Sequence, residues 1–241
     1  MIPAPLSKTG SVPENLLFAA LPAAERRYLH KRSETVELIA AETMIETGER
    51  IRHVFFPLDS CISLIAPLDR HTQFEVGLVG NEGMLGASLI LGVPTSPVRA
   101  LVQGSGSAWR LDVETFGEAL ECNRTFKRNL RRYLYVLVSQ IAQTATCGRF
   151  HHVEARLARW LLMTRDRAHS PRFHVTHQLL AHLLGVRREG VTQAAVALRR
   201  RNLIHYSRGH LEILDAERLE AAACPCYGAA KETYARVLCT L

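Results

Sequence analysis

Arg187, Arg188, Glu189, Thr192 and Gln193 crowd into one short stretch of the chain, within VRREGVTQAAVALRRR. Guanidinium, carboxylate, hydroxyl and amide groups at that density suit the base edges and phosphates of a DNA duplex. Arg199, Arg200 and Arg201 follow, and Arg208 stands in Ser207-Arg208-Gly209. Cations so placed are candidate phosphate contacts. No comparable set exists for bond-breaking chemistry, and no enzymatic activity is expected. Glu75 and Glu82 do not make a convincing acid/base pair, and Asp59 and Asp69 fall in expected turns, so solvated turn carboxylates are the preferred reading. His151 and His152 invite a metal, but only Glu154 stands near them at ligand spacing, and surface histidines at a helix start are preferred. The six cysteines, Cys61, Cys122, Cys147, Cys224, Cys226 and Cys239, show no zinc pattern, because only Cys224 and Cys226 are close and no second pair follows. Cysteines one residue apart are a strained match for a mutual disulfide, so Cys224-Pro225-Cys226 reads as free thiols. Neither metal nor cofactor is expected.

The element that carries the polar set is legible in its periodicity. Thr176, itself one of the DNA-binding candidates, can cap a helix whose apolar side is Leu179, Leu180, Leu183 and Leu184. Gly185 can take a positive φ and end it. A second helix follows, with Val191, Ala194, Ala195 and Leu198 at spacings of three and four on one buried face. The polar residues lie largely off that face, near its N-terminal end. Two helices joined by a tight turn in this way form a helix-turn-helix. Phe173–Val175 predicts a short strand before it. After Ile204, HYSRGHLEILD predicts a hairpin, a wing with Arg208 at its tip. A short helix over Ala216–Ala223, the Cys224–Tyr227 segment and a last amphipathic helix complete the chain.

Earlier in the chain the pattern is different. Residues 1–15 carry three prolines and read as a loose arm. Residues 16–32 predict a short helix pair broken at Pro22, anchored by Leu17, Leu21 and Leu29. From Glu34 to Leu111, short apolar or alternating runs recur at Thr35–Ile39, Val54–Phe56, Cys61–Ala66, Phe74–Val79, Val98–Gln103 and Ala108–Leu111. Turn residues separate them, including Asp69-Arg70-His71 and Gly80-Asn81-Glu82-Gly83. Many short strands at such spacing predict an antiparallel barrel or jelly roll. Asp112–Cys122 predicts a short helix, and Arg124–Gly148 a long one. In the long helix Leu130, Leu134, Leu137, Ile141 and Thr144 are spaced 4, 3, 4, 3, which is a heptad seam. Tyr133, Val136, Val138 and Ala145 give it a second apolar side. A helix apolar on two sides can meet its own domain and a partner together, so a parallel homodimer is the preferred reading. Arg149–Arg167 predicts a further helix, with Val153, Leu157, Trp160, Leu161 and Met163-Thr164 inward.

Charge divides the chain. Residues 1–150 hold 16 Lys/Arg against 15 Asp/Glu, and residues 151–241 hold 14 against 8. A basic C-terminal part fits a polyanion partner, although an ordinary basic surface would account for the charge equally well. At 241 residues, 47% of them hydrophobic, two modest domains can each bury a core. No uninterrupted run of 18 apolar residues occurs, so no membrane association is expected. The opening MIPAPLSKTGSVPEN lacks the basic and apolar regions of a secretory signal, and a cytoplasmic location is expected.

A roll, a long helix and a winged helix-turn-helix, in that order, resemble the cyclic-AMP receptor protein / fumarate-nitrate regulator (Crp/Fnr) superfamily of bacterial transcription factors. The resemblance covers nearly the whole chain and is most specific in LLAHLLGVRREGVTQAAVALRRRNLIHYSRGHLEILD. VFFPLDSCISLI and VGLVGNEGMLGA resemble a branch without an assigned ligand. The resemblance implies an α+β chain: an antiparallel β-roll (jelly roll) sensor over 1–123, a dimerisation helix over 124–149, a winged helix-turn-helix over 150–223 and a tail helix over 224–241. It implies a homodimer on a near-palindromic double-stranded DNA site, with RNA polymerase as a further partner. Family members read DNA through an Arg-Glu pair and a second Arg four positions after the Glu. Here the pair is Arg188-Glu189 and the later position is Gln193, which implies one G·C read per half-site and an altered second contact. Cyclic-nucleotide binders carry Gly-Glu on a turn and a phosphate-binding Arg about ten residues later. Here Glu82 and Gly83 stand on the turn, a proline of Gly92–Pro97 replaces the Arg, and Arg99 falls on the next strand. These three residues are the effector-pocket candidates, and cyclic AMP in the usual mode is not expected. The iron–sulfur branch uses N-terminal cysteines, whereas the first here is Cys61. The competing reading is a ligand- or redox-sensing module in which DNA binding is secondary or lost.

Overall fold

A computed structural model describes residues 14–67 and 73–238 of the chain. The expected turn at Asp69-Arg70-His71, residue Cys239 and most of the expected N-terminal arm lie outside the described residues.

Pro22, which cannot continue a helix, separates α1 (Leu16–Ala19) from α2 (Ala23–His30). Asn15 does not belong to a loose arm. It is fully buried, its side-chain oxygen accepts from the Leu17 N–H, and its Nδ2 donates to the carbonyls of Pro57 and Gly83. The strands that follow are β1 (Glu34–Leu38), β2 (Thr43–Ile45), β3 (His53–Pro57), β4 (Cys61–Pro67), β5 (Gln73–Val79), β6 (Arg99–Gly104) and β7 (Gly106–Asp112). They form two antiparallel sheets, ordered β1-β7-β3 and β2-β6-β4-β5. β2, three residues of half-buried side chains, carries no alternation that could have announced it.

Asp112 caps α3 (Val113–Cys122) by accepting from the Thr115 N–H. The long helix is α4 (Arg124–Phe150). Its register corrects the expected seam. Leu130 is wholly buried in its own core with Phe56, Phe116, Phe126 and Tyr133, and Leu137 packs against both cores of the roll. The large apolar residues facing outward along its middle are Tyr135, Val138 and Ile141, at 55%, 63% and 37% exposure, and Phe150 is exposed at its end. Leu130 of the expected seam is therefore taken up by the roll, because the helix has two apolar sides and spacing does not say which meets the roll.

The C-terminal part comprises α5 (Val153–Ala168), β8 (Arg172–His174), α6 (His177–Leu184), α7 (Arg188–Arg200), β9 (Ile204–Ser207), β10 (His210–Ile213), α8 (Ala216–Ala222) and α9 (Cys226–Leu238). Its core of Leu157, Leu161, Leu180, Leu183, Val191, Leu198, Leu203 and Leu211 is continuous with Cys61, Ile65, Leu78 and Leu101 of the roll. Two buried carboxylates reinforce that junction, against the expectation of solvated turns. Glu75 of β5 accepts from Trp160 Nε1 at 2.9 Å and from the Ser63 hydroxyl. Glu82 pairs with Arg167 of α5 at 2.7 Å, with both side chains nearly buried. Among the described residues, no helix is long and apolar enough to cross a membrane.

Candidate nucleic-acid interface

The helix-turn-helix forms where its sequence predicts it. The Thr176 hydroxyl accepts from the Leu179 N–H and starts α6. Gly185 ends it at φ +61°, the left-handed conformation that glycine adopts without strain. A side chain there would also strike Phe74 of β5, whose ring lies 2.9 Å from the position of a Cβ. The roll therefore touches the turn between the two DNA-site helices. In α7, Val191, Ala194, Ala195 and Leu198 are all buried, so the helix can seat only one way.

That seating leaves Arg187, Arg188, Glu189, Thr192 and Gln193 exposed together at the N-terminal end of α7. Arg187 occupies the N-cap position with no side-chain cap bond, so the first backbone N–H groups of α7 have no intrahelical partner. A helix start of this kind attracts anions. Arg199 and Arg200 are exposed at the far end of α7, nearly 20 Å of helix away from Arg188. Arg208 sits at φ +50° beside Gly209 at φ +84°, the two-residue turn of the β9–β10 wing, and is exposed at the tip. Arg201, also exposed, has partners within the protein. It pairs with Glu154 of α5 at 2.9 Å and its carbonyl accepts from Arg218, so it braces α7 against its neighbours.

Two residues that the sequence reading missed organise this surface. His177 stacks on Tyr206 at 4.5 Å, which joins the first turn of α6 to the wing, and the Tyr206 hydroxyl donates to the Val175 carbonyl. Thr192 donates to the Arg188 carbonyl at 3.0 Å, and His177 Nδ1 lies 3.0 Å from the same hydroxyl. With the threonine proton committed, Nδ1 carries the imidazole hydrogen and donates. Partial burial and the nearby Arg188 guanidinium hold His177 below the usual histidine range, which favours the neutral ring. The Thr192 hydroxyl is thus largely spent on holding Arg188 and His177, and its methyl is the part free to meet a base. Nothing in the spacing of 177, 192 and 206 signals that they meet, since the contact depends on how the wing folds back.

The effector-pocket candidates are not brought together. Glu82 is bound to Arg167, and a Cβ on Gly83 would lie 2.5 Å from the Tyr133 ring. Arg99 points the other way, to Thr43 Oγ1 at 2.7 Å and Glu46 at 3.4 Å. The cavity between β5, α4 and α5, lined by Glu75, Gln140, Arg159 and Trp160, measures about 20 Å³, enough for one water.

The chain is thus a strand roll feeding a long helix and a basic winged helix-turn-helix. Residues 155–222 match the family model of the Crp-like helix-turn-helix domain. Among solved structures, the fold is similar to FixK2 from Bradyrhizobium japonicum, with TM-score 0.67 and 13% identity over 80% of this chain and 98% of that one. It is similar to a transcriptional regulator assigned to the Crp/Fnr family from Eubacterium rectale, with TM-score 0.66 and 18% identity over 87% and 99%. It is also similar to TTHB099, a CRP-family regulator from Thermus thermophilus, with TM-score 0.63 and 21% identity over 78% and 96%. No curated protein matches the chain. The domain match shows a Crp-like helix-turn-helix domain over residues 155–222, and the likeness to these structures shows that the chain as a whole shares their fold.

Proposed function

We propose that the protein is a homodimeric, sequence-specific regulator that reads a near-palindromic DNA site through the N-terminal end of α7. The observation that carries this reading is the exposed set Arg187, Arg188, Glu189, Thr192 and Gln193 on a helix whose other face is wholly buried. Arg188 supplies a fork for guanine O6 and N7, and Glu189 accepts from cytosine N4. Gln193 meets a base edge where other members of the family use arginine. Arg199, Arg200, Arg208 and the open start of α7 hold the phosphates.

The second copy is proposed to dock on the outward stripe of α4. Leu134, Val138, Ile141 and Ala145 are spaced 4, 3, 4, a seam one rotation away from the side that the roll covers. Dimerisation there sets two recognition helices about 34 Å apart, one helical turn of DNA. The effector is proposed not to be cyclic AMP in the usual mode. Support comes from the internal partners of Glu82 and Arg99 and from the tight Gly83–Tyr133 contact. The preferred function is direct DNA regulation, with RNA polymerase as a further partner.

Fluorescence-anisotropy titration of a selected site tests the base readout. Glu189→Ala is expected to relax discrimination at one G·C position by roughly 1–3 kcal/mol while binding persists. Arg208→Ala is expected to weaken all duplexes alike and lower the salt slope by about one. Unchanged specificity in Glu189→Ala would overturn the base assignment.

A further inference from the structure

The six cysteines give no metal pattern along the chain, yet folding gathers three of them with a histidine. Cys147 lies on the last turn of α4 and His151 caps that helix, four positions on and so on the same side. Cys224 and Cys226 arrive from the α8–α9 connection, 77 residues away from Cys147. Sγ of Cys147 and Sγ of Cys224 are 3.5 Å apart, and Sγ of Cys226 is 3.6 Å from His151 Nδ1. All four donor atoms lie within 4.8 Å of one another. Cys147, Cys224 and Cys226 are buried and His151 half-buried. This corrects the expectation that His151 has no cysteine within ligand reach.

We propose that Cys147, His151, Cys224 and Cys226 bind one zinc ion, as a closed structural site that staples the end of α4 to the base of the DNA-binding part. Three lines of geometry support it. A tetrahedral zinc with Zn–S bonds of about 2.3 Å sets its sulfur atoms ~3.8 Å apart, the scale observed here. A two-iron cluster needs its ligand pairs spread more widely across two metal atoms. Three thiolates and one imidazole form a standard donor set for zinc, with no position left for water or substrate. The surroundings also suit an anionic centre. Zinc with three thiolates and a neutral imidazole carries one net negative charge. Arg156 and Arg159 of α5 are buried within electrostatic reach of Cys147, and Arg159 Nε has no hydrogen-bond partner. Cys226 is the first residue of α9, and the positive end of that helix suits an anionic metal centre.

The position gives the site its consequence. His151 and His152 are the link between α4 and α5, and the Cys224 N–H donates to the Ala155 carbonyl at 3.3 Å. A metal here fixes that link to the α8–α9 segment and thereby the angle at which the helix-turn-helix leaves the long helix. Binding releases up to three thiol protons, so affinity rises with pH.

Elemental analysis of the full-length protein, purified under reducing anaerobic conditions, is expected to give about one zinc per chain. After chelation, cobalt(II) is expected to restore one equivalent, with a thiolate-to-metal charge-transfer band and the visible bands of a tetrahedral site. Chelation is expected to lower the melting temperature by about 5 °C or more. Cys226→Ser is expected to lose most of the metal, whereas Cys122→Ser, at an exposed residue outside the cluster, keeps it. The cobalt titration of the unsubstituted chain stands even if the Cys226 variant fails to fold. Protein with less than about a tenth of an equivalent of zinc and no cobalt spectrum would overturn the proposal, as would a Cys147–Cys224 disulfide or an iron–sulfur chromophore in its place.

Discussion

Glu75 shows how a single side chain joins the roll to the helix-turn-helix part. Burial pushes its carboxyl up to about 7, against which the hydrogen bonds from Ser63 and Trp160 and the charges of Arg159 and Arg167 act only in part. A folded-state value above the unfolded one means that its contribution to stability is fully present below about pH 4.5 and lost as pH rises through 7. A shift of that size corresponds to roughly 3 kcal/mol between the two limits. Glu75→Gln, which cannot ionise, is therefore expected to gain stability relative to the parent between pH 5 and pH 8. Thermal melts of both proteins across that range check it, and parallel pH profiles would contradict it. In the sequence, Glu75 is one acidic residue in an alternating run, and the turn that follows made solvation the natural expectation. Burial comes from α5 closing over β5, a contact separated by 85 positions that local pattern cannot encode. The same holds for Cys147 and Cys224. By contrast, the exposure of Arg188 and Glu189 was legible, because the helix that carries them determines its own buried side within a dozen residues.

At the scale of elements, α4 carries two obligations. Phe126, Leu130, Tyr133 and Val136 hold it against the roll, while Tyr135, Val138 and Ile141 remain exposed. Large apolar groups left on one stripe of a long helix mark an interaction surface. Val138→Asp would bury an unpaired carboxylate on each side of a two-fold seam and is expected to weaken association by at least ~3 kcal/mol, about a hundredfold or more in the dissociation constant. Light scattering during gel filtration reads this as a shift from dimer to monomer. A dimer of unchanged stability would place the interface elsewhere. The heptad pattern predicted an association helix, and Leu130, its first seam residue, lies instead in the core of the roll. Periodicity fixes which residues share a face, whereas the roll decides which face is already occupied. Pro22, Asp112, Thr176 and Gly185 delimited their helices well, since each acts on the backbone within a few residues of itself.

The whole molecule is organised around one junction. The cores of the roll and of the DNA-binding part are continuous through Ile65, Leu78 and Leu157. Glu82–Arg167 and Glu75–Trp160 pin β5 to α5, and Phe74 lies against Gly185 in the turn of the helix-turn-helix. These contacts bring the roll against the turn that precedes α7. The order of elements was readable from the chain, because strand alternation, the long helix and the wing each have a local signature. Their mutual seating was not, because it rests on contacts between residues far apart in sequence. Selection of bound duplexes from a random pool at moderate salt tests the central claim most directly. The predicted result is a two-fold consensus whose half-site centres lie about 34 Å apart, with a G·C pair at the same place in each half. Enrichment of no sequence over random duplex, or of a lone half-site, would contradict it.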